Sequence, residues 1–229
     1  GYDNYTTDSY NFIAPGSVAR EMYQNGRLSK ADYRYEYIST NIMSDWHKQF
    51  GDWDLGLMLG TSTDDTKRMN QNHWGWNFIT AGTVSFSNIS SENQLFKDMN
   101  SRKRMVSVFG EARASWRNTV FLTVTGRNDW SSTLPVNERS YFYPSVSGSF
   151  VFTELIQPND ILSFGKIRAS WAQVGKDANV FATLTYLENP MVYGSFQGVG
   201  NQYYQGNMFL KPEIQTAWEI GTELRFFNN

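Results

Sequence analysis

The sequence predicts an all-β protein whose strands belong to a transmembrane antiparallel β-barrel, and three observations support this prediction. Stretches that alternate apolar and polar residues run for about 10–16 residues, longer than the ~5–6 of most soluble strands and enough to span a bilayer at a tilt. The connections between them alternate short and long, as in bacterial outer-membrane barrels. Aromatic residues gather beside the short turns, where a membrane-interface girdle is expected, at Trp46, Trp53, Trp116, Phe150, Phe152, Phe226 and Phe227.

The clearest of these stretches is a predicted hairpin. Its strands are Val120–Asp129 and Tyr141–Phe152, and the polar loop Trp130–Arg139 joins them. Alternate side chains of a strand point to opposite faces, so each strand has one apolar and one polar face. A soluble sandwich buries the apolar face, whereas a barrel turns it to lipid and keeps the polar face in a wet lumen. A jelly roll or solenoid-like β domain with aromatic edges therefore remains the alternative fold.

Composition narrows the class of protein. The 229 residues carry a net charge of −2, so no nucleic-acid partner is indicated. A mean hydropathy of −0.50 argues against a helical membrane protein but not against a barrel, whose strands are half polar. The absence of cysteine excludes disulfides and thiol metal sites. Because Gly1 opens directly into polar sequence, we expect either an intracellular protein or a piece of a longer one.

Seven strands are predicted along the chain. Residues Gly1–Asp32 are expected to form an irregular outer loop, with a short helix over Ser17–Asn25 that Gly26 ends. Residues 33–229 are expected to contain the strands and their loops. The predicted strands are Tyr33–Gln49, Trp53–Thr66, Arg102–Trp116, Val120–Asp129, Tyr141–Phe152, Ser163–Val174 and Gln215–Phe227.

The predicted connections differ in length. Tight turns are expected at Phe50–Asp52 and Arg117–Thr119, and long loops at Lys67–Ser101 and Gly175–Ile214. The first long loop is expected to hold a helical turn at Glu92–Met99. A barrel with short periplasmic turns would place both long loops outside the cell.

Several motifs, in a fixed order over the second half of the chain, carry a family resemblance. Arg127–Ser132 reads RNDWSS and Tyr141–Ser145 reads YFYPS. These segments resemble the hallmark of the SusC/RagA family, although Trp130 stands where that family often has a small residue and Tyr143 where it often has phenylalanine. Further segments resemble the strands that follow the hallmark, namely Lys166–Ser170, Val174–Gly175, Leu210–Glu213, Glu219–Gly221 and Phe226–Asn229.

The resemblance implies a TonB-dependent outer-membrane transporter. Members of that family are barrels of about 22 strands with an N-terminal plug. They import oligosaccharides or peptides together with a SusD-like surface lipoprotein, using energy relayed by TonB. The resemblance makes residues 1–229 one part of a single barrel domain, with the plug and the region that meets TonB absent from this chain. Its other partners would be the remainder of the same barrel, outer-membrane lipid and the imported glycan or peptide.

Two sets of candidate functional residues follow. Aromatic residues predicted in outer loops have flat rings that stack on sugars or peptide side chains, although packing of the loops on each other explains them equally well. They are Trp74, Trp76, Trp130, Tyr193, Phe196, Tyr203 and Tyr204. Charged residues on the polar faces of strands are expected to form a cross-strand ladder of lumen ion pairs. They are Glu111, Arg113, Arg127, Asp129, Lys166, Arg168, Glu219, Glu223 and Arg225.

Chemistry beyond binding is not indicated by the sequence. His47 and His73 are its only histidines, and neither has the neighbours of a metal site. No serine lies in a nucleophile motif, and no glycine-rich phosphate loop follows a strand. We therefore expect neither an enzyme nor a cofactor. The alternative to a transporter segment is a non-transporting surface β domain that binds glycan.

Overall fold

The structure, a computed structural model, has regular secondary structure that is almost entirely β-strand among the described residues. It describes residues 1–17, 23–156, 161–193, 196–201 and 204–227, and among these it gives the backbone alone at 187–193, 196, 197, 199 and 201. The described residues form strands β1 Tyr2–Ile13, β2 Arg27–Phe50, β3 Trp53–Trp76, β4 Gln94–Trp116, β5 Val120–Ser131, β6 Ser140–Val151, β7 Leu162–Lys176, β8 Leu187–Tyr193, β9 Phe196–Asn201 and β10 Glu213–Phe226. Short 3₁₀ turns lie at Phe86–Asn88, Ser91–Asn93 and Phe152–Glu154. The all-β prediction is confirmed.

Eight of these strands form one sheet in the order β1-β2-β3-β4-β5-β6-β7-β10, while β8 and β9 form a separate hairpin. Neighbours whose register is described pair antiparallel, for example Val124 with Val146 and Ala169 with Ile220. Each strand of this sheet thus pairs with the next one along the chain, except that the β8–β9 hairpin is inserted between β7 and β10. This order is the meander that an up-and-down barrel requires.

No helix among the described residues is both long enough and apolar enough to cross a membrane.

The chain divides into two compact units, of which unit 1 comprises Gly1–Ser39 and Asp64–Lys103. Its small apolar core consists of Leu28, Phe78 and Ile89, with Phe86 packed against it. Phe78 and Ile89 belong to the connection between β3 and β4, so this connection is packed against Leu28 of β2. Gly26, at φ 88°, lies so close to Phe78 that a Cβ there would be 2.8 Å from the ring.

Unit 2 comprises Thr40–Thr63 and Arg104–Asn229 and has an inverted pattern of burial. On one side of its sheet, here called the apolar face, the aliphatic side chains are open, with Val108 51% and Ile220 82% exposed. On the other side, here called the polar face, Ser107 is 0% and Asp129 3% exposed. A soluble sandwich would bury the aliphatic side chains instead. The inversion is what a sheet with one lipid-facing side requires.

Several predicted loops are strands in the structure. Residues 2–13, expected to be irregular, form β1 and pair with β2 from Ile38 to Arg27. The connection expected at Lys67–Ser101 shortens to 77–93, because β3 continues to Trp76 and β4 begins at Gln94. The helical turn expected at Glu92–Met99 is wrong beyond its first residues, since only Ser91–Asn93 is helical. The sheet therefore has eight strands where seven were predicted.

Two further expectations concern segments that the structure describes only in part. The loop expected at Gly175–Ile214 contains the β8–β9 hairpin, which joins residues as far apart as Leu187 and Asn201. The short helix expected over Ser17–Asn25 falls largely on residues 18–22, outside the described residues. The placement of residues 1–32 outside the membrane stays a prediction.

The tight turn between β4 and β5 uses unusual backbone angles. Arg117 and Asn118 have φ angles of 48° and 52°, the left-handed region in which a side chain other than glycine or asparagine is strained. Two consecutive residues of this kind make a type I′ hairpin turn, whose twist matches that of the strands. The turn is fixed by its neighbours, since the Arg117 N–H donates to the carbonyl of Asp52 at 2.9 Å.

Candidate functional site

All nine charged residues predicted for the lumen lie on one face of unit 2. The β4–β5 register pairs Glu111 with Thr125, and the β7–β10 register pairs Glu223 with Lys166. Directly paired residues point to the same side of a sheet. The registers of β4 to β7 and β10 therefore show that the nine residues, although on different strands, all point to the same side. This side is the polar face. That it lines a barrel lumen stays a prediction.

Ion pairs on the polar face neutralise most of these charges, but few of them join strands as a ladder would. Arg127 contacts Asp129 at 2.7 Å and Arg225 contacts Glu223 at 2.8 Å, each within its own strand. Residues i and i+2 of a strand share a face, so a long guanidinium side chain reaches its own strand as easily as the next one. Cross-strand pairs form only at Arg168 with Glu219, at 3.2 Å, and at Arg113 with Asp45 among the nine predicted residues.

Two glycines make room for these arginines. A Cβ on Gly221 would lie 2.6 Å from Nε of Arg168, and one on Gly56 would lie 3.3 Å from Nε of Arg113. Each guanidinium therefore lies over backbone that carries no side chain. Arg113 also contacts Glu111 at 3.0 Å, so it bridges two carboxylates. The remaining lumen cation, Lys166, lies 5.9 Å from the ring of Phe121.

The RNDWSS segment builds a buried polar network on this face. Arg127 Nε donates to one carboxylate oxygen of Asp129 at 2.7 Å, and the Tyr143 hydroxyl donates to the other at 2.7 Å. A second guanidinium nitrogen of Arg127 donates to the hydroxyl of Ser107 at 2.8 Å. A buried carboxylate is tolerated when it is paired and hydrogen-bonded in this way. The network fixes three strands, β4, β5 and β6, to one another.

The first serine of the same segment, Ser131, anchors a loop. The hydroxyls of Ser131 and Thr133 both donate to the carboxylate of Asp177, which directly follows β7, the Thr133 bond being 3.2 Å. The Ser131 N–H donates to the carbonyl of Arg139 at 3.0 Å. Thr133 and Leu134 are buried. The β5–β6 loop is thus held against the segment beyond β7 and does not project freely.

The predicted loop aromatics that the structure describes belong to several different elements. Trp74 and Trp76 are half-buried and belong to strand β3. Trp130 belongs to β5 and pairs with Val106, which places it on the apolar face. Tyr204 is 75% exposed. The side chains of Tyr193 and Phe196 and the whole of Tyr203 lie outside the described residues.

A row of tyrosines in unit 1 was not predicted. Tyr5 of β1 stacks on Tyr35 of β2, with ring centroids 5.0 Å apart, and lies 5.9 Å from Tyr33. Arg68 of β3 has its guanidinium carbon 5.8 Å from the ring centroid of Tyr35. This tyrosine row of Tyr5, Tyr33, Tyr35 and Arg68 presents phenol hydroxyls and a cation together. Residues some 30 positions apart meet only through the β1–β2 register, so local sequence patterns do not reveal the row.

The two histidines have ordinary structural roles. His47 forms an ion-pair contact with Asp54. His73 lies between the rings of Phe86 and Phe96, with centroid distances of 3.5 and 3.6 Å. In the part of the chain that the structure describes, no three histidine, aspartate or glutamate side chains come close enough to hold a metal ion.

Comparisons with known proteins agree with this architecture. The model of the family described as TonB dependent receptor-like, beta-barrel matches residues 1–229. TonB-dependent receptor P26 of Formosa agariphila is 29% identical over 106 residues, which cover 44% of this chain and 11% of that protein.

Solved structures share the fold at low sequence identity. The RagAB peptide transporter superposes with a TM-score of 0.84 at 20% identity, covering 99% of this chain and 26% of that one. The RagAB peptide importer in its open-open state gives 0.83 at 19% identity, covering 100% of this chain and 25% of that one. The chain thus spans about a tenth of the curated relative's length and about a quarter of the solved chains' length. The predicted barrel fold and the SusC/RagA resemblance are confirmed. The chain belongs to the TonB dependent receptor-like, beta-barrel family, a family of outer-membrane proteins.

Proposed function

We propose that this chain is part of an outer-membrane transporter that imports oligosaccharides or peptides together with a SusD-like surface lipoprotein, with energy relayed by TonB. The single observation that carries the proposal is the inverted burial of unit 2. Open aliphatic side chains cover one face, while charged and hydroxyl side chains are buried or paired on the other. A wall with these two faces separates lipid from a wet passage.

The partner and the cargo are inferred by analogy. The solved structures that share this fold are named as a RagAB peptide transporter and a RagAB peptide importer. The pairing of this protein with a SusD-like lipoprotein follows from its resemblance to the SusC/RagA family. The paired charges of the polar face suit passage of a polar oligomer, because neutralised ion pairs do not hold a charged cargo strongly.

The tyrosine row is the most suitable surface for the first contact with such a cargo. Tyrosine offers a ring for stacking and a hydroxyl for hydrogen bonding, a combination that suits both sugars and peptides. Tyr5 is 47% exposed, and Arg68 is exposed beside its neighbour Tyr35. We expect replacement of both Tyr5 and Tyr35 by alanine to weaken cargo binding by about 30-fold, from ~1 kcal/mol for each of the two lost aromatic contacts.

The experiment uses the full-length transporter with its lipoprotein partner, purified from the native host. Binding of oligosaccharide and peptide libraries is measured by calorimetry, and uptake is measured in cells with and without TonB. Tyr10→Ala is the matched control, because Tyr10 is 63% exposed on the same strand but points to the opposite side from Tyr5. Uptake that persists without TonB would refute energised import.

A non-transporting surface β domain that binds glycan is the second candidate, and the tyrosine row favours it equally. The uptake measurement distinguishes the two candidate functions. A surface binder retains glycan on the cell without accumulating it inside, whereas a transporter accumulates it inside. The expectation that the protein is not an enzyme accords with the receptor family to which it belongs.

A further inference from the structure

Two cations lie over aromatic rings beside the short turns of unit 2. Lys48 Nζ lies 4.7 Å from the ring centroid of Phe50, and the Arg117 guanidinium carbon lies 5.0 Å from that of Trp116. Phe50 follows Lys48 by two positions on β2, so both point to one side of that strand. Trp116 pairs with Val120, whose side chain is 41% exposed on the apolar face. These four residues are here called the headgroup site.

The apolar face ends at these residues. Trp46, Phe50 and Trp53 are 51%, 53% and 50% exposed, and above them Leu57 is 43% exposed. Aliphatic side chains thus give way to aromatic rings and then to fixed cations as the chain approaches the turns. This order matches the profile of a membrane leaflet, in which acyl chains give way to the interface and then to phosphate.

The charges of the headgroup site are not fully neutralised within the protein. Arg117 Nε donates to the carboxylate of Asp52 at 2.8 Å, yet the Arg117 side chain stays 58% exposed. Lys48 is exposed and forms no ion pair with any described carboxylate. The site therefore carries a net positive charge beside an open apolar surface.

We propose that the headgroup site binds the phosphate of an anionic phospholipid in the leaflet next to the short turns. The ammonium group of Lys48 contacts the phosphate, Arg117 contributes the donors that Asp52 leaves unused, and the acyl chains lie along the leucines of β3. A ring beneath each cation restricts the side chain before the lipid binds, so less conformational entropy is lost on binding. The inference rests on the proposed location in the outer membrane, but not on the nature of the cargo.

The test is native mass spectrometry of the full-length protein with phosphatidylglycerol as the probe and phosphatidylcholine as the uncharged reference. We expect Lys48→Gln to weaken phosphatidylglycerol binding about fivefold, and Lys48→Gln with Arg117→Gln to weaken it about 25-fold, from ~1 kcal/mol per cation at a membrane surface. Phosphatidylcholine binding should not change. Inorganic phosphate, which lacks acyl chains, should not displace the lipid at millimolar concentration.

Lys166→Gln is the matched control, since Lys166 also lies near an aromatic ring, Phe121, but on the polar face. An equal loss of lipid in Lys166→Gln would overturn the proposal, because net charge alone would then explain the binding. Unchanged phosphatidylglycerol binding in Lys48→Gln would overturn it as well. Heat-modifiable migration of each variant confirms that the barrel is folded, and Lys48→Gln alone suffices if replacement of Arg117 disturbs its turn. A failure of cargo uptake would leave these lipid measurements unaffected.

Discussion

Val124 and Thr123 are adjacent residues of β5 whose side chains point to opposite faces of the sheet. Val124 is 42% exposed on the apolar face, and Thr123 is half-buried on the polar face. We expect Val124→Arg to lower the free energy of unfolding by about 2–4 kcal/mol near the bilayer midplane, because the charge would face hydrocarbon. Thr123→Arg should cost far less, because its surroundings are wet. Denaturant unfolding of the full-length protein in lipid vesicles measures both.

Adjacent positions have nearly the same depth in the membrane, so only the face differs between these two variants. Ser107 would be a poor polar-face control, since it is 0% exposed and accepts a hydrogen bond from Arg127. Equal costs at Val124 and Thr123 would contradict the assignment of the two faces.

Asp129 allows a second prediction for a single residue. Its carboxylate accepts hydrogen bonds from Arg127 and Tyr143 and is almost fully buried. We expect Asp129→Ala to destabilise the protein by about 1.5–3 kcal/mol, since two donors lose a charged acceptor. Tyr143→Phe removes one of these bonds and should cost about 1 kcal/mol. The same unfolding measurement applies, and a larger loss for Tyr143→Phe than for Asp129→Ala would show that the network is not centred on Asp129.

Among the elements, the β4–β5 turn restricts the residue types that its sequence can contain, because two of its residues have positive φ angles. Asn118, at φ 52°, is exposed, so side-chain burial does not complicate a substitution there. We expect Asn118→Val to destabilise by about 1–2 kcal/mol, because a β-branched side chain is strained in the left-handed region. Asn118→Gly should stay within about 0.5 kcal/mol of the native protein. If valine were tolerated as well as glycine, the type I′ turn would be wrong.

The strands predicted from the sequence are those in which one face is apolar. The alternation at β4 to β7 and β10 is the pattern expected of a sheet with lipid on one side and water on the other, so it is visible in the residues themselves. Strand β1 and the part of β3 after Thr66 were not predicted, because both of their faces are polar. They are held by backbone pairing with a neighbour, which leaves no periodic signal in side-chain polarity.

For the candidate site, the sequence likewise predicted the face on which the residues lie but not their partners. The alternation of side chains along each strand is enough to predict that the nine charged residues lie on the polar face. Which of them form ion pairs with each other depends on the strand register and on the room beside each side chain. Arg168 meets Glu219 because Gly221 leaves room beside it, a relation between β7 and β10 that no local pattern contains. The role of Ser131 as an anchor for Asp177 depends in the same way on residues 46 positions apart.

At the scale of the whole molecule, the orientation in the membrane is open to a direct test. Residues 1–229 contain no cysteine, so single cysteines can be placed at the exposed residues Glu92, in the long β3–β4 connection, and Asn118, in a short turn. We expect a membrane-impermeant thiol reagent to label intact cells at Glu92→Cys only, because short turns face the periplasm. Labelling at Asn118→Cys alone would reverse the topology.

The alternation of the strands also bears on how such a protein reaches its membrane. Because every second residue of a strand is polar, no stretch of the sequence approaches the ~20 apolar residues that an inner-membrane translocation channel would release sideways as a helix. The unfolded chain, with a mean hydropathy of −0.50, is therefore compatible with export through one bilayer and transit through water. Its lipid-compatible surface comes into being only when the strands pair and their apolar side chains line up on one side. The alternation of apolar and polar residues that gives the sheet its two faces thus also delays membrane insertion until the strands have paired.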